Sequence, residues 1–183
     1  MSRGKLLIMD TSMLCCWLQV HGKDRCGTTD DPWDHARVAK KIEEEQELNT
    51  KFVLPMATVI ETGNHIAQAG VRRFETAEKL AEILRSAAQQ LTPWIAFDEQ
   101  VVLWGREGLL KLAEELPVAA SMSRSLGDTT IRTVANYYWE GGYTVELFTA
   151  DADLKSSEPS GPIHFADIGE EEPRRRKDRR RKR

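Results

Sequence analysis

Residues 5–12, KLLIMDTS, constrain the fold more than any other stretch of the chain. Leu6, Leu7, Ile8 and Met9, entered from Lys5, make an apolar run too short for a buried helix, and it stops on a carboxylate, Asp10, followed by two hydroxyl residues, Thr11 and Ser12. Such a run reads as a central strand of a parallel sheet, because a strand covered on both faces has no polar side to alternate. In open α/β sheets ligands collect beyond the carboxyl ends of the strands, which is where Asp10 would stand.

Three further stretches set acids in comparable places. A second strand, 51–54, runs into Pro55, and a helix can start there because proline is tolerated in a first turn. In that helix Thr58, Glu61 and His65 share a face, with Glu61 flanked by Val59, Ile60 and Ile66. A carboxylate in such company needs a partner or a cation, whereas His65 reads as a neighbour rather than a ligand. Residues 143–148, YTVELF, read as another strand and lead into TADAD, so Thr149, Asp151 and Asp153 follow its carboxyl end. Asp128 opens the helix that feeds this strand, either as its cap or as a ligand. A parallel sheet would bring these acids, far apart in the chain, to one edge.

The connecting segments are plainer. TSMLCCWLQV at 11–20 reads as a buried helix capped at Thr11 or Ser12, with Cys15 and Cys16 as small hydrophobes rather than disulfide or zinc partners. Residues 21–34 read as an exposed loop rich in Gly, Asp, Thr and Pro; its His, Asp and Cys residues follow no compact metal pattern. An acidic, solvent-facing helix over 35–48 carries Glu43, Glu44, Glu45 and Glu47, and completes an excursion over 21–50. Residues 71–90 form an amphipathic helix, 94–97 a short strand, 98–104 and 107–116 helices, and 117–127 a Ser-rich connection. A last edge strand is expected at 163–165. No stretch approaches 18 apolar residues and the first ten resemble no export signal, which predicts a cytoplasmic protein without membrane insertion.

Carboxylates converging at a sheet edge repel one another unless they are protonated or neutralised by cations. All-oxygen coordination suits Mg²⁺ or Mn²⁺, which keep waters and bridge to phosphates, and can activate water for in-line attack on a phosphodiester. The core set is Asp10, Glu61, Asp128 and Asp151, with Asp153 assisting and Thr11, Ser12 and Thr149 orienting a water or a ligating acid. Arg124 and Arg132 lie near Asp128 in sequence and could touch phosphate.

IMDTS with Asp10, ATVIETGNH with Glu61, SLGDTTI with Asp128, and LFTADADL with Asp151 and Asp153 together resemble the PIN-domain nucleases, in order and in spacing. The resemblance implies a three-layer α/β/α sandwich with a mainly parallel central sheet. It also implies metal-dependent cleavage of RNA, less often of DNA, with the first three acids and Asp151 as metal carboxylates. Many small members look like toxins of toxin-antitoxin pairs, which would bring an inhibitory protein partner; others serve RNA processing or decay. This chain departs from a minimal toxin in its acidic excursion over 21–50 and in its basic C-terminus. Competing readings are a DNA-directed nuclease, a catalytically weak nucleic-acid-binding or regulatory domain, and a phosphatase. The last lacks the second aspartate that a phosphoaspartate enzyme carries two residues after the first, since Ser12 stands there.

Charge divides the chain. Arg174, Arg175, Arg176, Lys177, Arg179, Arg180, Arg181, Lys182 and Arg183 surround one acid, a net +8 over 174–183, so a chain of net charge −3 carries −11 on its first 173 residues. The division predicts a nuclease domain over 1–168 and a basic tail over 169–183 that is disordered in isolation and holds RNA through counterion release. Ala- and Leu-rich helix faces make a homodimer plausible.

Overall fold

The computed structural model describes residues 3–95 and 97–161. Strand β1, Lys5–Met9, runs directly into helix α1, Thr11–Leu18, because Asp10 takes an extended backbone (φ −89°, ψ 159°) and caps the helix with its own side chain. Gln19 ends α1 in the left-handed region at φ 56°. A two-stranded antiparallel hairpin follows, β2 at Arg25–Gly27 and β3 at Pro32–Asp34, where an exposed loop was expected. Composition hid it: Gly27 (φ +87°) has no room for a side chain, since a Cβ would lie 2.3 Å from the Asp31 carbonyl oxygen. Trp33 then pins the hairpin, edge-on to Phe148 at 5.5 Å, with the Arg37 guanidinium 3.8 Å above its ring.

Helix α2, His35–Glu47, buries Val38 and Ile42 and leads to β4, Lys51–Val53. Not all of its glutamates face solvent as expected. Glu45 is 2% exposed and accepts hydrogen bonds from Lys5 Nζ (2.6 Å), Lys41 Nζ (2.6 Å) and Thr50 Oγ1 (2.5 Å). Helices α3, Met56–Gln68, and α4, Arg73–Ala88, come next. The strand expected at 94–97 reduces to one parallel bridge between Trp94 and Phe52. A 3₁₀ helix, Phe97–Trp104, precedes α5, Arg106–Ser121, which continues through Pro117 instead of ending there. Proline forfeits one helix hydrogen bond, but residues 113–115 are exposed, so water can serve the freed carbonyl. Helix α6, Leu126–Glu140, strand β5, Thr144–Phe148, and helix α7, Ala152–Ser156, complete the described chain.

The fold is mixed α/β, with seven α-helices among the described residues and a three-stranded parallel sheet ordered β4-β1-β5. Ile8 pairs with Val53 on one side and Leu147 on the other. Alternation along β1 feeds two buried clusters. Leu7 and Met9 join Met13, Leu14, Phe52, Ile66, Leu80 and Phe148, together with the free thiols Cys15 and Cys16. Leu6 and Ile8 join Val53, Ile131, Val134, Tyr138, Leu147 and Leu154. At β5, Leu147 receives side-chain partners: its N–H donates to Glu158 (2.8 Å) and its carbonyl accepts from Lys155 (2.9 Å). The strand expected at 163–165, the boundary at 168 and the basic tail lie outside the described residues. Among those described, no helix is long and apolar enough to cross a membrane.

Candidate active site

The carboxyl ends of β1 and β5 meet at Asp10, whose N–H donates to the Phe148 carbonyl (3.1 Å). Its side chain is 6% exposed, and a single oxygen, Oδ2, accepts from Ser12 Oγ (2.6 Å), Thr149 Oγ1 (2.8 Å) and Ser12 N (3.3 Å). Burial pushes the Asp10 carboxyl above its ordinary range; the Ser12 and Thr149 hydrogen bonds pull it down without offsetting burial. The same hydroxyls gather the chain that leaves β5. Ser12 Oγ accepts from Ala150 N (3.3 Å) and Thr149 Oγ1 from Asp151 N (3.0 Å).

Helix α3 brings the second acid. Thr58 is wholly buried and donates to the Met9 carbonyl (2.8 Å), fixing α3 against the end of β1. One turn on, Glu61 accepts from Thr11 Oγ1 at its Oε2 (2.8 Å). The other oxygen packs on the first turn of α6, where a Cβ on Gly127 would lie 2.1 Å from Oε1. Glu61 also borders an apolar recess of about 560 Å³ lined by Met56, Ile60, Phe97, Trp104 and Leu126. Thr11, the residue after Asp10, thus ties Glu61 of α3 to the end of β1.

The remaining acids stand differently. Asp128 completes a capping box at the start of α6, accepting from Ser125 Oγ (2.7 Å) and Ser125 N (3.2 Å), while Ser125 Oγ accepts from Asp128 N (3.0 Å). Asp151 is exposed and caps α7 by accepting from Leu154 N (2.8 Å). Asp153 turns to Arg124, whose Nε and Nη2 donate to it at 2.8 and 3.3 Å, because α7 begins here and breaks the alternation an extended segment would have had. Arg132 is half-buried on α6, its Nε buried without a hydrogen-bond partner among the described residues.

The chain matches no family model, no curated protein and no solved structure. Its chemistry follows from charge and geometry. Elsewhere in the described residues, buried or half-buried acids are neutralised: Glu45 and Glu146 both lie against Lys5 and Lys41. Asp10, Glu61, Asp128 and Asp151 have no cationic side chain within 4 Å among the described residues. A buried carboxylate held only by hydroxyl and backbone N–H donors attracts either a proton or a cation, and hard oxygen donors suit Mg²⁺ or Mn²⁺. As the side chains stand, no three His, Cys, Asp or Glu among the described residues are grouped to hold one ion. Residue reading of the sequence missed Gly127 and Ser125. Their signal is the small residue directly before Asp128 and the serine three before it, in SLGD.

Proposed function

We propose that the chain is a divalent-metal-dependent endoribonuclease of the PIN-domain type, its helices layered on both faces of the sheet. The observation that carries this reading is a buried Asp10 at the carboxyl end of β1, followed in the chain by Thr11, whose hydroxyl holds Glu61, with no cationic side chain in ion-pair distance of either acid among the described residues. The oxygen-only donor set suits Mg²⁺ or Mn²⁺; Asp10 and Glu61 would hold the ion, with Asp128 and Asp151 as further carboxylates of the proposed set. When bound, such an ion polarises a phosphodiester and makes an attacking water more acidic. The protein's own part is positional. Ser12 and Thr149 fix Oδ2 of Asp10, Thr11 fixes Oε2 of Glu61, and Gly127 leaves room for that carboxylate to stay there. The basic residues over 174–183 supply charge for holding the strand.

A non-cutting nucleic-acid-binding domain is the second reading, favoured by the absence of a three-ligand group among the described residues. Incubation of single-stranded and structured RNA and DNA with wild type and Asp10→Asn, under Mg²⁺, Mn²⁺ or EDTA, separates the two. The nuclease reading expects cation-dependent RNA cuts that fall on the order of a thousandfold in the variant. RNA bound but uncut by folded wild type would favour the binding domain, and preferential cutting of DNA would move the substrate class.

A further inference from the structure

Arg124 lines a cleft of about 490 Å³ between α5 and α6, together with Arg132. Arg124 grips the Asp153 carboxylate through two nitrogens, the fork geometry that guanidinium offers equally to carboxylate and phosphate. Hydrogen bonds from Arg124 hold the Asp153 carboxyl below its ordinary range, and the charges of Arg124 and Arg132 add to the effect. Arg132 itself has no acid within ion-pair distance among the described residues, and its buried Nε has no hydrogen-bond partner there.

We propose that Asp153 stands in for a phosphate group: a phosphate ester binds Arg132 and Arg124 at this cleft and displaces the Asp153 carboxylate. The exchange is feasible because the Arg124–Asp153 pair is solvent-exposed, with the Asp153 side chain 61% exposed, and such pairs contribute little. Phosphate presents more oxygens and more charge to the same nitrogens and gives Arg132 a partner. Glu114, Glu115 and Glu140 also line the cleft, offset there by Lys111, and disfavour a run of phosphates along it, so the proposed ligand is one phosphate group. Taking an RNA backbone as its source rests on the nuclease reading; the site itself does not.

The test is binding to the full chain in EDTA, where no turnover is read. Inorganic phosphate and a short single-stranded RNA are titrated separately, at one salt concentration, into wild type, Arg132→Gln and Asp153→Asn. Arg132→Gln should weaken both probes about tenfold, and Asp153→Asn should strengthen both several-fold. Asp153 is exposed, so its substitution should leave the fold intact, and the second variant stands alone if the first is unstable. Changes confined to inorganic phosphate would support the site and overturn its assignment to RNA. Unchanged affinity for both probes, or weaker binding by Asp153→Asn, would overturn the proposal. Neither result depends on whether RNA is cut when metal is supplied.

Discussion

Gly127 has the sharpest steric requirement at the candidate site. Its backbone sits in the first turn of α6, where alanine is a better helix former than glycine by about 1 kcal/mol, yet the added methyl would meet Glu61 Oε1 at 2.1 Å. Gly127→Ala should therefore leave the thermal midpoint unchanged or higher while lowering RNA cleavage at least tenfold, as Glu61 swings off Thr11. Parallel melting and cleavage assays check it; full activity would show that the position of Glu61 does not matter. Asp10 and Glu61 were legible in the sequence because each interrupts an apolar pattern. Gly127 was not, because its partner lies 66 residues away and only the folded chain puts them in contact. Asp128 shows the opposite limit: both readings of it, cap and ligand, fit the same local sequence, and its present bonds are those of a cap.

Among the elements, α2 and β5 are joined by a charged cluster of Lys5, Lys41, Glu45 and Glu146. Burial pushes the Glu45 carboxyl up, but hydrogen bonds from Lys41, Lys5 and Thr50 outweigh it and hold the group at about 2, against an ordinary value of 4.5. A lowered acid stabilises the fold fully above its unfolded value, and that contribution is lost as pH falls from 4.5 towards 2. Glu45→Gln should cost about 2 kcal/mol at neutral pH, since it leaves two lysines sharing one acid, and urea unfolding should show a smaller gap at pH 3. A gap independent of pH would mean that packing, not charge, makes Glu45 matter. The helical pattern of α2 was legible, but the inward turn of Glu45 was not, because a run of glutamates looks alike until Lys5 arrives from β1. The β2–β3 hairpin escaped for a related reason: its strands are three residues each, too short for alternation to register, and Trp33 gains its meaning only against Phe148.

Over the whole molecule, sheet and charge set the arrangement. Three parallel strands were readable as short apolar runs, and their common direction is what delivers Asp10 and the segment from Thr149 to one edge. The net −11 of residues 1–173 against +8 over 174–183 is the basis for proposing that the C-terminus helps to hold the strand. Removing 174–183 should weaken RNA binding and flatten its salt dependence, by up to roughly 6 units of log–log slope if all nine cations contact a single strand. An unchanged slope would remove the tail from RNA binding. Beneath both lies the claim that Asp10 and Glu61 together hold a divalent cation, and it is tested most directly by titrating the full chain with Mn²⁺, read by electron paramagnetic resonance. One saturable site, weakened at least tenfold by either Asp10→Asn or Glu61→Gln, is the predicted result; equal Mn²⁺ affinity in wild type and both folded variants would contradict it.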